Sequence, residues 1–150
     1  MELDEQLYQD WLLQLQTWAA DGRLFSAGVD ALRLKPGQAT DQLKRIANRL
    51  AKGDTRDLPP IELLPGSAMP GAAGAYAKAT KTIYINQEWI KTANEIDAIS
   101  LLTEEFGHHL DNQLNEQDSP GDEGAIFAER LLNSYSKGAT SSAQKDLINE

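Results

Sequence analysis

The chain contains no cysteine, so disulfide staples and thiolate metal sites are both excluded, and any transition metal must be held by imidazole and carboxylate. Imidazole is scarce as well, His108 and His109 being the 2 histidines. Apolar runs are short, and none approaches the ~20 residues that a helix needs to cross a bilayer, so membrane insertion is not expected. Positive charge is in deficit: 14 Lys and Arg stand against 23 Asp and Glu, a formal net charge of -9. Proteins that grip a phosphate backbone need clustered Lys and Arg to displace counterions, and nucleic acid is therefore not an expected partner. Neither a GxGxxG nor a GxxxxGK[ST] pattern occurs, which removes the usual phosphate cradles. The opening Met1-Glu2-Leu3-Asp4-Glu5 lacks the basic and apolar regions of a signal peptide.

With 150 residues, 41% of them hydrophobic, the chain is the size of one ordinary domain with its own core. Leu3, Leu7, Trp11, Leu15 and Trp18 recur at helical spacing, which predicts an amphipathic helix over residues 3–20 ended by Gly22. The Trp11 and Trp18 stripe reads as core or interface. A short helix is expected within residues 25–34, running into the Pro36-Gly37 turn. Leu43, Ile46, Ala47 and Leu50 mark the next helix, with Thr40 or Asp41 as its cap and Gly53 at its end.

Leu58-Pro59-Pro60 separates this helical half from the rest of the chain, because proline can neither donate to a ladder nor continue a helix. Residues 61–64 read as a strand, residues 66–74 as a Gly- and Ala-rich loop, and residues 76–86 as a second strand region. Within the latter, Thr82-Ile83-Tyr84-Ile85 is β-branched or aromatic throughout. Asn94 with Asp97 caps a helix extending to about Leu114.

That last helix carries the chemistry. Glu104, His108 and Asp111 fall at i, i+4 and i+7 and share one face, while Glu105 lies on the adjoining side, one turn from His108. Two ligands one turn apart can bite a single ion, and a carboxylate beside the first can reach a water held there. Further on, Asp122 and Glu123 come after Pro120-Gly121. Asp122 can be an N-cap with Glu123 favoured by the helix dipole, or Glu123 can be a ligand. The acidic stretch at residues 118–123 does not have EF-hand spacing.

The run Glu105-Phe106-Gly107-His108-His109-Leu110-Asp111 resembles part of the zincin metallopeptidase signature, with Glu104 standing where the first His is usual. A preceding strand and a following Glu-bearing helix resemble the gluzincin order of elements. A narrower resemblance covers residues 43–132. Leu58-Pro59-Pro60-Ile61-Glu62, Gly74-Ala75-Tyr76, Thr82-Ile83-Tyr84-Ile85, Glu104-Glu105-Phe106-Gly107-His108 and Gly121-Asp122-Glu123-Gly124 are similar to a domain near the N-terminus of large bacterial secreted proteins carrying hemolysin-type calcium-binding repeats. In that group Glu104 is a family trait.

The resemblance implies a divalent metal, zinc or, given the carboxylate-rich donors, manganese or calcium, held by Glu104, His108 and Glu123. It implies Glu105 as general base, Asp111 and Asp122 as supporting residues, and Ile83, Tyr84 and Ile85 as the strand whose edge receives an extended peptide. A register set by Phe127-Ala128-Glu129 would instead put Ala125 at the third-ligand position. Tyr135 is the one candidate oxyanion stabiliser. His109 reads as a surface or packing residue. The expected fold is α+β, a mostly helical zincin-like domain with a small sheet or hairpin packed on the active-site helix. Residues 1–57 form an N-terminal helical segment, 58–136 the core and 137–150 a tail or linker, in one globular unit. The expected activity is peptide-bond hydrolysis on a peptide or protein substrate, secretion being implied by the resemblance alone. The alternative is an inactive module that keeps the cleft to bind a partner, with the N-terminal helices as a docking or inhibitory element.

Overall fold

A computed structural model describes residues 3–115 and 123–132. The elements in chain order are α1 (Glu5–Ala20), α2 (Arg23–Ala31), α3 (Gln38–Ala51), β1 (Ile61–Leu64), a short 3-10 turn (Gly66–Ala68), β2 (Gly74–Ala77), β3 (Thr82–Asn86), α4 (Gln87–Thr92), α5 (Glu95–Leu114) and α6 (Glu123–Leu132). This is a mostly helical α+β fold with one three-stranded sheet.

Local chemistry sets the boundaries. Asp4 caps α1, its carboxylate accepting from the Leu7 amide at 3.0 Å. Gly22 adopts the left-handed conformation that lets α1 stop and α2 start at once. The start of α3 differs from expectation. Gly37 takes the cap position, and Thr40 sits three residues in, accepting from the Gly37 amide at 3.0 Å, so the threonine acts from inside the first turn. Asn94 caps α5 through the Asp97 amide at 2.8 Å.

The segment expected as one strand region over residues 76–86 is a hairpin, β2 antiparallel to β3, turned by residues 78–81 with Lys81 at a left-handed φ of 52°. Sequence alone missed α4. Its start is fixed by Asn86, whose side chain accepts from the amides of Glu88 and Trp89 and donates to the carbonyls of Met69 and Ala72. One residue thereby ends a strand, begins a helix and anchors the Gly/Ala loop.

The sheet order is β1-β3-β2, with β1 parallel to β3. β3 is thus the central strand, and Ile83 and Ile85 are fully buried. All the helices except α4 contribute fully buried residues to a single apolar cluster that runs from Trp11 to Leu132. The N-terminal helices are part of that core: Trp11 packs edge-on against Phe106 of α5 and donates to Thr103 Oγ1 at 3.2 Å. No helix among the described residues is long and apolar enough to cross a membrane.

Because Trp11 is fully buried and joins α1 to α5 by both packing and a hydrogen bond, Trp11→Ala is expected to destabilise the fold by about 3–5 kcal/mol. Urea unfolding of the variant beside the parent measures the loss.

Candidate functional site

Helix α5 is an unusual place for acid. Of its side chains, Asp97, Glu104, Glu105 and Asp111 are buried, Glu104 completely and Glu105 to 1% exposure, while His108 is half-buried. Two neighbours close over it. Helix α6 crosses on the side of Glu104 and His108, and strand β2 lies on the side of Leu101 and His109.

The α5–α6 crossing is made by two glycines. A Cβ at Gly107 would meet Phe127 Cδ2 at 2.9 Å and the Gly124 Cα at 3.0 Å. A Cβ at Gly124 would meet the Glu104 carbonyl oxygen at 2.6 Å and His108 Nε2 at 2.7 Å. Such distances leave no room for a side chain, so the helix backbones pack directly and Phe127 stacks its edge on Phe106. The consequence for the site is positional. Gly124 is pressed onto the imidazole of His108, and the residue before it, Glu123, enters the buried interior at the first turn of α6.

Glu104 Oε2 and His108 Nε2 stand 4.0 Å apart on this face. Two ligands each ~2.0–2.2 Å from one ion lie about 3–3.5 Å from each other at tetrahedral or octahedral angles. A side-chain adjustment of under about 1 Å therefore brings this pair to ligating distance. The donor set, one imidazole among carboxylates, fits a divalent cation of borderline to hard character. Glu104 and His108 are thus brought together and Glu123 is carried in by the facing helix. Among the described residues, however, no three His, Asp or Glu side chains stand close enough to form a ready-made cage.

Asp111 is buried one turn beyond His108, where its Oδ1 accepts from Asn115 Nδ2 at 2.6 Å. Asn115 also donates to the Leu32 carbonyl, so Asp111 belongs to the junction that fixes the end of α5. Asp122 and Tyr135 lie outside the described residues. Ala125 is half-buried on α6.

The expectation for Ile83, Tyr84 and Ile85 needs correction. These residues cannot receive a peptide by edge pairing, because β3 is hydrogen-bonded to β1 on one side and β2 on the other. The sheet edge beside α5 belongs to β2. Gly74 permits its close approach, a Cβ there falling 3.1 Å from Leu101, and Tyr76 meets His109. Leu101, Glu105, His109 and Asn112 form one row along the helix, so Glu105 lies between the two contacts that hold β2.

His109 is a packing residue with a specific job that the sequence did not reveal. Its Nδ1 lies 2.7 Å from Tyr76 Oη, and Asn112 Nδ2 donates to the same hydroxyl at 3.2 Å. Burial pushes the imidazole down to about 4, with the nearby Lys81 charge adding to the effect and the Asp57 main chain and carboxylate opposing it. The ring is neutral at pH 7, Nδ1 accepts, and Tyr76 donates. Asp57 is held in turn by a bidentate pair with Arg49, at 2.7 and 2.9 Å. The only advance signal was the spacing of His109 and Asn112 on one helical face.

In the unfolded chain His109 protonates near its ordinary 6.5, but in the folded chain only near 4. The unfolded state therefore binds the extra proton first as pH falls. This contribution to stability is full above about pH 6.5 and is lost progressively toward pH 4, a change on the order of 2–3 kcal/mol. Urea unfolding at pH 7.5 and 4.5 is expected to show a steeper loss in the parent than in His109→Gln. Equal pH dependence would remove His109 from this role. Gly124→Ala is expected to cost about 2 kcal/mol or more by forcing α6 off α5, read as a fall in melting temperature.

Comparison of the chain with protein-family models, with curated proteins and with solved structures returns no match, so the site stands on its own geometry.

Proposed function

We propose that this domain is a zincin-like, metallopeptidase-related unit that holds a divalent cation between α5 and α6 and acts on a peptide or protein. The observation that carries this reading is the contact of Gly124 with Glu104 and His108, which no other residue at 124 would permit. It brings the Glu123 end of α6 to the helix face on which Glu104 and His108 stand one turn apart. A cation there would also offset part of the cost of burying Glu104 and Glu123.

In this reading Glu104, His108 and Glu123 are the protein ligands. A bound cation would supply Lewis-acid polarisation of a carbonyl and a more acidic water. Glu105, on the flank facing β2, takes the proton from the attacking water. An extended substrate lying along this flank would set its carbonyl near that carboxylate. Asp111 and Asn115 fix the end of the helix. Zinc suits the imidazole and manganese the carboxylates, and both serve as probes.

A second reading is favoured by the near-complete burial of Glu105. A general base must reach water, and a carboxylate shut between β2 and α5 fits a non-catalytic domain that keeps the shape of the cleft to hold a partner.

Dialysis against zinc or manganese and then mass-spectrometric metal analysis is expected to give one ion per chain in the parent, with at least tenfold weaker binding in His108→Ala. No stoichiometric ion in the parent would sink the metal site. With metal bound, Glu105→Gln is expected to keep the ion and to lose about 10²–10⁴-fold in cleavage of an unstructured protein substrate. Metal retained in a parent that cleaves nothing would select the non-catalytic reading.

A further inference from the structure

A second, separate recess lies on the opposite side of the sheet from β2. It is a cleft of about 600 Å³ between the start of α1, the end of β1, α4 and the start of α5. That volume falls within the range of sites that take small ligands or one or two peptide side chains. Its walls are apolar, with Leu3, Leu7, Leu63, Ile90 and Ala98 among them, and its rim carries the carboxylates Asp4, Asp10 and Glu95 against the single ammonium of Lys91. The negative character extends to Glu5, exposed in the first turn of α1, and residues 1–20 contain no Lys or Arg.

The second observation is the direction of the β1 backbone. The Ile83 amide donates to the Pro60 carbonyl at 2.9 Å, and Ile61 is the register partner of Ile83. In a parallel ladder the main-chain groups of alternate residues point to the same neighbour. Pro60, Glu62 and Leu64 therefore face β3, and the N–H and C=O of Ile61 and Leu63 face the outer edge of the sheet. Leu63 does both things at once: its main chain belongs to the sheet edge that no other described strand covers, and its side chain lines the cleft.

We propose that the β1 edge and this cleft together form a docking site for an extended peptide segment in which an apolar residue has Lys or Arg two positions away on either side. Ile61 and Leu63 pair with the main chain of the segment, as in strand addition. An apolar side chain of the segment enters the cleft beside Leu63 and Ile90. The basic residues two positions before and after it project to the same face of the extended chain and meet Asp4, Asp10 and Glu95. Charge decides the class of partner, because a segment with acidic flanks would face the same rim with like charge. The site shares no residue with the α5–α6 centre, so the two succeed or fail independently.

The test is a titration of the full chain with two fluorescently labelled, end-capped peptides. One is a seven-residue threonine peptide with leucine at its centre and lysine two positions to either side, and the other replaces each lysine by glutamate. The lysine peptide is expected to bind saturably, with amide shifts in NMR spectra centred on Ile61, Leu63, Ile90 and Ala98. It should weaken as salt rises. The glutamate peptide is expected to show no saturable binding. The double variant Asp10→Asn, Glu95→Gln changes exposed or half-exposed rim residues and is expected to weaken the lysine peptide about tenfold, while Ala93→Leu, which narrows the cleft from its half-exposed side, weakens it regardless of salt. Equal binding of both peptides, unchanged binding in these folded variants, shifts spread over the whole acidic surface, or no saturation at millimolar peptide would each overturn the proposal.

Discussion

The structure depends on burying one helix around nearly its whole circumference although that helix carries charge. Helix α5 supplies Ile99, Leu102, Phe106 and Leu110 to the core, and from the same turns it takes Glu104, Glu105 and Asp111 out of water. Apolar burial contributes roughly 25 cal/mol per Å² and is indifferent to direction. Carboxylates are not indifferent, since each must be met by a proton, a donor or a cation. The surrounding elements are placed accordingly. α1 covers the Phe106 face with Trp11, α6 covers the Glu104–His108 face through glycine, and β2 covers the row containing Glu105.

Glycine and histidine divide the work at this centre. Gly107 and Gly124 remove side chains so that two helices touch through their backbones, which fixes α6 to within the tolerance of a close-packed contact. His108 is the imidazole against which that contact is made. His109, the next residue, faces another side of the helix and ties it to β2 through Tyr76 and to the Asp57 loop through the Asp57 main chain. Adjacent histidines on one helix thus serve two layers, one at the proposed metal face and one in the packing that holds the sheet edge in place.

Long amphipathic helices announce themselves by period, and so the Leu3, Leu7, Trp11, Leu15, Trp18 stripe and the Leu43 to Leu50 repeat are legible in the sequence as α1 and α3. The i, i+4 relation of Glu104 and His108 also follows from helix geometry and is seen as a 4.0 Å pair. Sheet order is not legible. Three short strands of four or five residues each allow several arrangements, and only the pairing of β3 with both neighbours shows that Ile83 and Ile85 are core and that β2 holds the edge. α4 escapes a sequence reading for a related reason, its six residues giving too little periodicity, while the signal lies in Asn86 as a cap. In the Gly121-Asp122-Glu123-Gly124 run the acidic residues draw attention first. The physical meaning of Gly124, a backbone pressed on an imidazole, needs the third dimension.

If Glu123 and His108 serve the same ion across the α5–α6 crossing, their contributions to metal affinity are coupled, and a double-variant cycle measures that coupling. Zinc or manganese dissociation constants would be determined by competition with a chelating dye for the parent, His108→Ala, Glu123→Gln and the double variant, with folding checked by circular dichroism. Glu123→Gln is expected to weaken binding at least tenfold in the parent and to have little further effect once His108 is gone. An unchanged affinity in folded Glu123→Gln would contradict a shared ion, since the residue that α6 carries to the crossing would then have no part in holding it.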